Sequence, residues 1–156
     1  MKKIFYIIIL LVISLSFACK KYSEGPLISL RSVDKRIIAE WQVIGFTSDG
    51  VDSLQYYNDS CGSIMWIYKD YHDATYYRIN FEGDNIGFGG TFNFSDNKKV
   101  MNIYLVDIGI TYWGVGPIGS DKKSEWKILK LTMDELKTSI DYNSKNYLIS
   151  FKRSTQ

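Results

Sequence analysis

Few residues in this chain could carry nucleophilic or acid–base chemistry. There is one histidine, His72, and there are two cysteines, Cys19 and Cys61. His72 lies close to Asp70 and Asp73, an arrangement in which a carboxylate can orient an imidazole base. The surrounding segment has the composition of a hairpin turn, which favours a solvated histidine. A catalytic Cys61 would need His72 as its base, and nothing in the sequence brings the two together. We therefore predict no catalytic residue.

Phosphate and metal sites are equally poorly indicated. Residues 83–90 are rich in glycine, but a phosphate-binding loop must lead into a helix, and residues 91–94 have the pattern of a strand. These glycines are better explained by a strand that bends or packs tightly. The carboxylates are scattered in turns, for example Asp49 with Asp52, without the spacing of a calcium loop. Two cysteines exclude a four-cysteine metal centre. We predict no metal and no cofactor.

Length and charge restrict the class of protein. The 156 residues, 46% of them hydrophobic, suffice for one domain with a core and are too apolar for a disordered chain. Lys and Arg number 19 against 17 Asp and Glu, and the two classes balance once Lys2 and Lys3 are removed with a leader. That balance excludes a basic nucleic-acid-binding protein.

The amino terminus has the three parts of a signal peptide. Basic residues at 2–3 precede an apolar run that begins at Ile4, and Ala18 stands before the expected cleavage point. The stretch from Ile4 to Ala18 is shorter than the roughly 20 residues of a membrane-spanning helix. We predict a signal peptide over residues 1–18, a lipidated tether over 19–31 and one domain over 32–156. The tether is assigned from its polar composition and its Gly25-Pro26 pair.

The residues at the cleavage point, Leu15-Ser-Phe-Ala-Cys19, resemble the lipobox of bacterial lipoproteins. The resemblance implies that the Cys19 thiol is acylated, with palmitate-like chains, and becomes the first mature residue. The alternative is an ordinary secreted protein. An acylated chain would be anchored in the outer membrane of a cell envelope. Only Glu24 follows as an acidic residue, so the periplasmic face and the cell surface both remain open.

The domain has the pattern of an all-β meander. A short helical turn, capped by Ser32 or Asp34, is predicted within residues 32–40. Strand-like runs alternate with turn signals, including a turn at 58–62 and another at 83–85. The eight predicted strands cover residues 41–47, 64–68, 75–81, 88–94, 100–106, 125–131, 135–140 and 147–151. Eight short antiparallel strands favour an up-and-down barrel, which has no exposed edge. A β-sandwich is the alternative.

Alternating residues predict which side of each strand faces the core. The predicted inward sets are Ile64/Trp66/Tyr68, Tyr77/Ile79/Phe81, Phe88/Phe92/Phe94, Met101/Ile103/Leu105 and Tyr147/Ile149/Phe151. Trp126 and Ile128 share one face, whereas Leu129 and Leu131 fall on the other. A β-bulge near these residues would reconcile the two pairs.

Four segments of the mature chain resemble the lipocalin-like lipoproteins of Bacteroidota. They are residues 25–32, 36–43, 49–52 and 126–136. The resemblance implies a barrel whose first strand carries Trp41, with an arginine from the end of the last strand covering the indole. Arg153 or its neighbour Lys152 would take that place. The resemblance implies no particular activity, because a fold alone does not determine function.

Two binding hypotheses follow. In the first, a small apolar or amphipathic ligand enters the barrel; in the second, the barrel is filled and docks on another envelope protein. At eight strands the interior is either filled or holds one small ligand. The aromatic residues that would line the pocket, or fill it, are Trp41, Trp66, Tyr77, Phe92, Tyr112 and Trp113. The last two lie in the glycine-rich segment 107–121, which is either a lid and contact patch or a plug over one end of the barrel.

Overall fold

The computed structural model describes residues 21–26, 29–83, 86–107, 116–118 and 122–154. Three residues with predicted roles, Cys19, Tyr112 and Trp113, lie outside the described residues. So do residues 84–85 of a predicted turn and most of the 107–121 segment.

Two short helices and nine strands make up the described chain. Helix α1 spans Val33–Ile37 and helix α2 spans Leu54–Cys61. The strands are β1 (Ala39–Ser48), β2 (Val51–Asp52), β3 (Ile64–Lys69), β4 (Tyr77–Gly83), β5 (Ile86–Ser95), β6 (Val100–Asp107), β7 (Lys122–Leu131), β8 (Glu135–Tyr142) and β9 (Lys145–Arg153). Ser32 caps α1, as predicted, because its Oγ accepts a hydrogen bond from the Lys35 amide at 3.3 Å.

The sheet is a closed antiparallel barrel of eight strands, β1 and β3–β9. From β3 onward each strand pairs with the next. The first strand closes the ring by pairing with β3 over Ala39–Gln42 and with β9 over Trp41–Ser48. Strand β2 is a two-residue addition at the end of β1. The predicted barrel is therefore confirmed, and the sandwich alternative fails because one continuous sheet closes on itself.

Two ends of the barrel can be defined from the chain. The α1 end carries α1, the start of β1 and the turns 70–76, 96–99 and 132–134. The α2 end carries α2, the described residues 116–118 between β6 and β7, and the turn 143–144. Because the strands alternate in direction, these two groups of connections lie on opposite sides of the core.

The predicted turn at residues 58–62 is wrong, since most of it belongs to α2. Leu54, Tyr57 and Cys61 recur at helical spacing, and this face of α2 packs against the end of the barrel core, with Tyr57 and Cys61 fully buried. Gly62 ends the helix with φ of 77°. The burial of an apolar face has outweighed the turn preference of the Asn, Asp and Ser residues between these positions.

The predicted inward face of β3 is also wrong. Met65 and Ile67 are buried in the core, whereas Ile64, Trp66 and Tyr68 lie on the outer face and are partly exposed. Met65 pairs with Phe81 and Ile67 with Ile79, and directly opposed residues share a face of the sheet. Both faces of β3 are apolar, so alternation within the strand does not identify the inner one.

The other inward sets that fall on described side chains agree with the structure. Tyr77, Ile79 and Phe81 are buried, as are the predicted sets of β6 and β9, while Phe92 is buried and Phe94 partly buried. The predicted bulge in β7 is confirmed, because its register with β8 shifts between Ile128 and Lys130. The extra residue brings Ile128 and Leu131 into the core together.

Candidate functional site

Aromatic side chains fill the described interior of the barrel. Trp41, Phe46, Phe81, Phe92, Trp126 and Phe151 are each at most 1% exposed. The Tyr77 and Phe92 rings stack with their centroids 4.9 Å apart, and Phe81 lies 6.0 Å from Trp126. Rings at these separations leave the lining side chains in mutual contact. The described interior therefore resembles a packed core.

Trp41 and Arg153 close the α1 end. The Trp41 indole N–H donates to the Ile37 carbonyl, at 2.9 Å, at the end of α1. The guanidinium carbon of Arg153 lies 5.3 Å from the centroid of the indole, and its Nη2 donates to the Arg36 carbonyl at 2.7 Å. The covering arginine expected from the resemblance is thus Arg153, whereas Lys152 points to solvent.

Helix α2 covers the opposite end. The Tyr57 ring lies 4.8 Å from Phe46, and both side chains are at most 1% exposed. Ile118, from the described part of the 107–121 segment, is fully buried at the same end. Gly116 precedes it, and a Cβ there would lie 2.7 Å from the Tyr147 ring. The described part of this segment therefore has the packing of a plug.

Two hydroxyl groups in this interior have no hydrogen-bond partner among the described residues. They belong to Tyr57 and Thr138, which are both fully buried. Burial raises the pKa of Tyr57 well above its ordinary value. A buried hydroxyl without a partner is costly, so these are the points where a polar group of a guest molecule would be stabilised.

A polar cluster fastens α1 to the strands. The Tyr77 hydroxyl donates to Asp34, Lys98 Nζ donates to the same carboxylate at 3.2 Å, and Lys69 Nζ lies 3.2 Å from the Tyr77 hydroxyl. Burial acts to raise the pKa of Asp34, but the hydrogen bonds from Tyr77 and Lys98 outweigh it and lower the pKa. Burial, together with the hydrogen bond to Asp34, raises the pKa of Tyr77.

His72 occupies an exposed turn at the α1 end. Asp70 does not orient its ring; the carboxylate instead accepts the backbone N–H of His72 at 2.7 Å and the Arg78 Nε at 2.6 Å. These two hydrogen bonds lower the pKa of Asp70 to about 2. Cys61 is buried at the α2 end, so these two candidate groups lie at opposite ends of the barrel. Among the described residues no group of three metal-ligating side chains is found.

Two adjoining depressions on the surface lie outside the barrel, over β4 to β8. One, of about 310 Å³, continues at Thr91 and Tyr104 into another of about 600 Å³. We call this surface the outer groove; its lining includes Arg78, Asn80, Gly89, Thr91, Asn93, Asn102, Tyr104, Val106, Lys123, Glu125 and Asp141. Tyr104 is 40% exposed and stands where the two parts meet.

Glycine creates the floor of this groove. Gly89 is buried between Asn80 and Val106 and projects no side chain into the groove. At Gly90 a Cβ would lie 2.1 Å from the Tyr104 carbonyl oxygen, so only glycine allows β6 this close. The sequence indicated tight packing here, but it gave no sign that Tyr104 would stand opposite Thr91, next to the glycines.

The predicted ligand-binding residues divide into three groups. Trp41, Tyr77 and Phe92 are all buried in the core at the α1 end of the barrel, where the rings of Tyr77 and Phe92 stack. Trp66 does not join them, because it faces outward and its indole N–H donates to Glu82 at 3.2 Å. Tyr112 and Trp113, like the lipidation candidate Cys19, lie outside the described residues.

Two comparisons with known proteins were without a match. No protein-family model matches this chain, and no curated protein matches it significantly. None of the helices in the described part of the chain is long and apolar enough to cross a membrane.

Proposed function

We propose that this chain is an outer-membrane lipoprotein whose lipocalin-like barrel is filled and binds another envelope protein through the outer groove. The leader and the Cys19 motif support the anchor. Acylation at Cys19 supplies at least two apolar chains, which is what stable anchoring requires. The proposal leaves the periplasmic and surface orientations as alternatives.

The observation that carries this proposal is the filled interior. The large aromatic side chains that face inward are almost completely buried against one another, and both ends of the barrel are covered, by Trp41 and Arg153 at one and by α2 at the other. An eight-stranded barrel filled in this way acts as a scaffold. Its binding chemistry then lies on its outside.

The outer groove has the composition of an interaction surface. Tyrosine and arginine are enriched in protein interfaces, and Tyr104 and Arg78 line it. Because Gly89 projects no side chain into the groove, a side chain of the partner has room there. Asn102 donates to Asn93 at 3.1 Å, so part of the polar rim is already oriented. These features favour a protein partner that inserts an edge or loop beside Tyr104.

The docking proposal can be tested with two matched tyrosines. A photo-crosslinking amino acid is placed at Tyr104 or at Tyr56, which is exposed on α2. We expect one crosslinked envelope protein from position 104 and a much weaker product from position 56. Tyr104→Ser should then lower co-purification of that protein at least tenfold, while Tyr56→Ser leaves it unchanged. Equal co-purification with both variants would place the interface elsewhere.

The first binding hypothesis, a small ligand inside the barrel, is the second candidate. The partnerless hydroxyls of Tyr57 and Thr138 favour it, because a guest with a polar group would satisfy them. An apolar fluorescent probe tests this candidate. Saturable probe binding that Tyr57→Phe weakens would support a ligand inside the barrel. The absence of saturable binding would exclude this candidate and favour the filled barrel.

We retain the prediction that this protein is not an enzyme. Cys61, the one thiol in the described part of the chain, is buried at the end of α2, while His72 is exposed at the other end of the barrel. A hydrolase activity lost on His72→Ala would contradict this part of the proposal.

A further inference from the structure

The chain just after Cys19 is docked on the barrel rather than free. Tyr22 is 3% exposed, and its hydroxyl donates to the Lys98 carbonyl at 3.2 Å. The Glu24 amide donates to the Leu129 carbonyl at 2.8 Å. The polar composition of residues 19–31 favoured a tether, but residues 21–26 are fastened to the turn 96–99 and to β7.

Two charged contacts reinforce this docking. The Glu24 carboxylate accepts from Lys137 Nζ at 2.8 Å, and the guanidinium carbon of Arg36 lies 5.7 Å from the Tyr22 ring centroid. Arg36 is itself buried, with its Nη1 donating to the Leu131 carbonyl at 2.6 Å. The segment thus contacts α1, β7, β8 and the β5–β6 turn, all of them at the α1 end.

Chain length then restricts how far this end can lie from an anchor at Cys19. Three peptide steps separate Cys19 from Tyr22, and three extended residues span at most about 11 Å. A ten-residue strand such as β1 is roughly 33 Å long. With Tyr22 docked, the α1 end stays beside the anchored lipid and the α2 end stays far from it.

The surface at this point is positively charged. Lys21 lies near Lys98, Lys99 and Arg36; burial lowers the pKa of Lys21, and the positive charges of these neighbours lower it further. Lys20 adds a charge in the sequence. Asp34 pairs with Lys98, and Glu24 pairs with Lys137. Asp96, in the same turn as Lys98 and Lys99, offsets one of the remaining positive charges, which are those of Lys21, Arg36 and Lys99. Lys21 and Lys99 thus add positive charge beyond these two pairs, and anionic lipid headgroups stabilise positive charge beside a membrane.

We infer that the α1 end of the barrel faces the bilayer, held there by the docked segment 21–26, with Lys21 and Lys99 against anionic lipid headgroups. The inference rests on the proposed lipid anchor at Cys19. It adds an orientation: α2 and the turn 143–144 point away from the membrane, and the outer groove runs along the side of the barrel, accessible to a partner.

Site-specific fluorescence tests this orientation on the full, lipidated chain. Asn97→Cys and Ser144→Cys are matched sites, because both are exposed turn residues with left-handed φ of 51° and 62°, at opposite ends. Cys61 is fully buried and does not compete for the label. Each labelled chain is reconstituted in vesicles of phosphatidylethanolamine and phosphatidylglycerol that carry a quencher on their headgroups.

We expect quenching at residue 97 to exceed quenching at residue 144 at least threefold. Tyr22→Ser, checked for an unchanged fold by circular dichroism, should reduce this difference, as should Lys21→Glu combined with Lys99→Glu. Equal quenching at both sites in chains that float with the vesicles would overturn the orientation and leave the anchor intact. Chains that fail to float and carry no acyl mass would overturn the anchor and the orientation together.

Discussion

The Arg153 guanidinium covers the Trp41 indole at a distance of 5.3 Å while it donates a hydrogen bond to the carbonyl of Arg36. One side chain thereby joins the last strand to the first strand and to α1. Because β1 and β9 are also the two strands that close the ring, this contact lies at the point where the barrel seals. We expect it to be a main determinant of stability.

Truncation of Trp41 should be strongly destabilising. Trp41→Ala removes a fully buried indole and leaves a cavity, which costs about 3–5 kcal/mol. Trp66→Ala is the matched control on the outer face and should cost about 1 kcal/mol or less. Urea denaturation measures both. If the two variants unfold at a similar urea concentration, Trp41 does not stabilise the closed end of the barrel.

Substitution of Gly90 should distort the seam between β5 and β6. A Cβ at Gly90 would lie 2.1 Å from the Tyr104 carbonyl oxygen, which is backbone and cannot rotate away. Gly90→Ala should therefore destabilise the domain by about 1–3 kcal/mol or more. At Gly45 the closest atom is the Ser150 Cβ at 3.4 Å, so Gly45→Ala should be tolerated. Thermal melting that ranks Gly45→Ala as the more damaging change would refute this account of the glycine floor.

Acid should weaken the cluster around Asp34. The pKa of Asp34 is lower in the folded state than in the unfolded chain, so its contribution is present above the unfolded value of about 3.9 and is lost as the pH falls through the folded value. In Asp34→Asn the free energy of unfolding should consequently fall less between about pH 5 and about pH 3 than it does in the wild type. Asp59→Asn, at the α2 end, is the control. An unchanged acid slope in Asp34→Asn would show that the cluster contributes nothing.

Alkali should release the docked segment 21–26. Burial raises the pKa of Tyr22 to about 12, whereas the unfolded chain ionises this phenol near pH 10. The unfolded state therefore loses a proton first, and stability falls as the pH rises from about 10 towards 12. Tyr22→Phe should reduce this fall, while Tyr71→Phe, at an exposed turn, should not. If both variants behave alike in alkaline denaturation, Tyr22 is not docked in solution.

The sequence predicted the barrel because most strands pair an apolar face with a polar one and are separated by turn residues. It also predicted the bulge in β7, since Ile128 and Leu131 cannot otherwise reach the same core. It failed at β3, where Met65 and Trp66 are both large and apolar and only pairing with β4 decides between them. It failed at α2 because the local preference of residues 58–60 for a turn concealed the spacing of Tyr57 and Cys61.

The candidate site was predicted less well than the fold, because its contacts are distant in the sequence. Tyr22 bonds to a carbonyl 76 residues away, and Tyr104 borders the groove only because β5 and β6 are brought together by Gly90. The resemblance implied a basic side chain from the end of β9 over Trp41 but left Arg153 and Lys152 as alternatives, and the contact in the structure selects Arg153. The composition of residues 19–31 gave no indication that residues 21–26 contact the barrel.

Native mass spectrometry of the protein purified from its own envelope tests the central claim most directly. A filled, anchored barrel should appear as the acylated chain without any small molecule, in complex with one envelope protein. Tyr104→Ser should lose that protein and Tyr56→Ser should keep it. A small molecule retained in the barrel by wild type and by both variants, with no protein partner, would contradict the account.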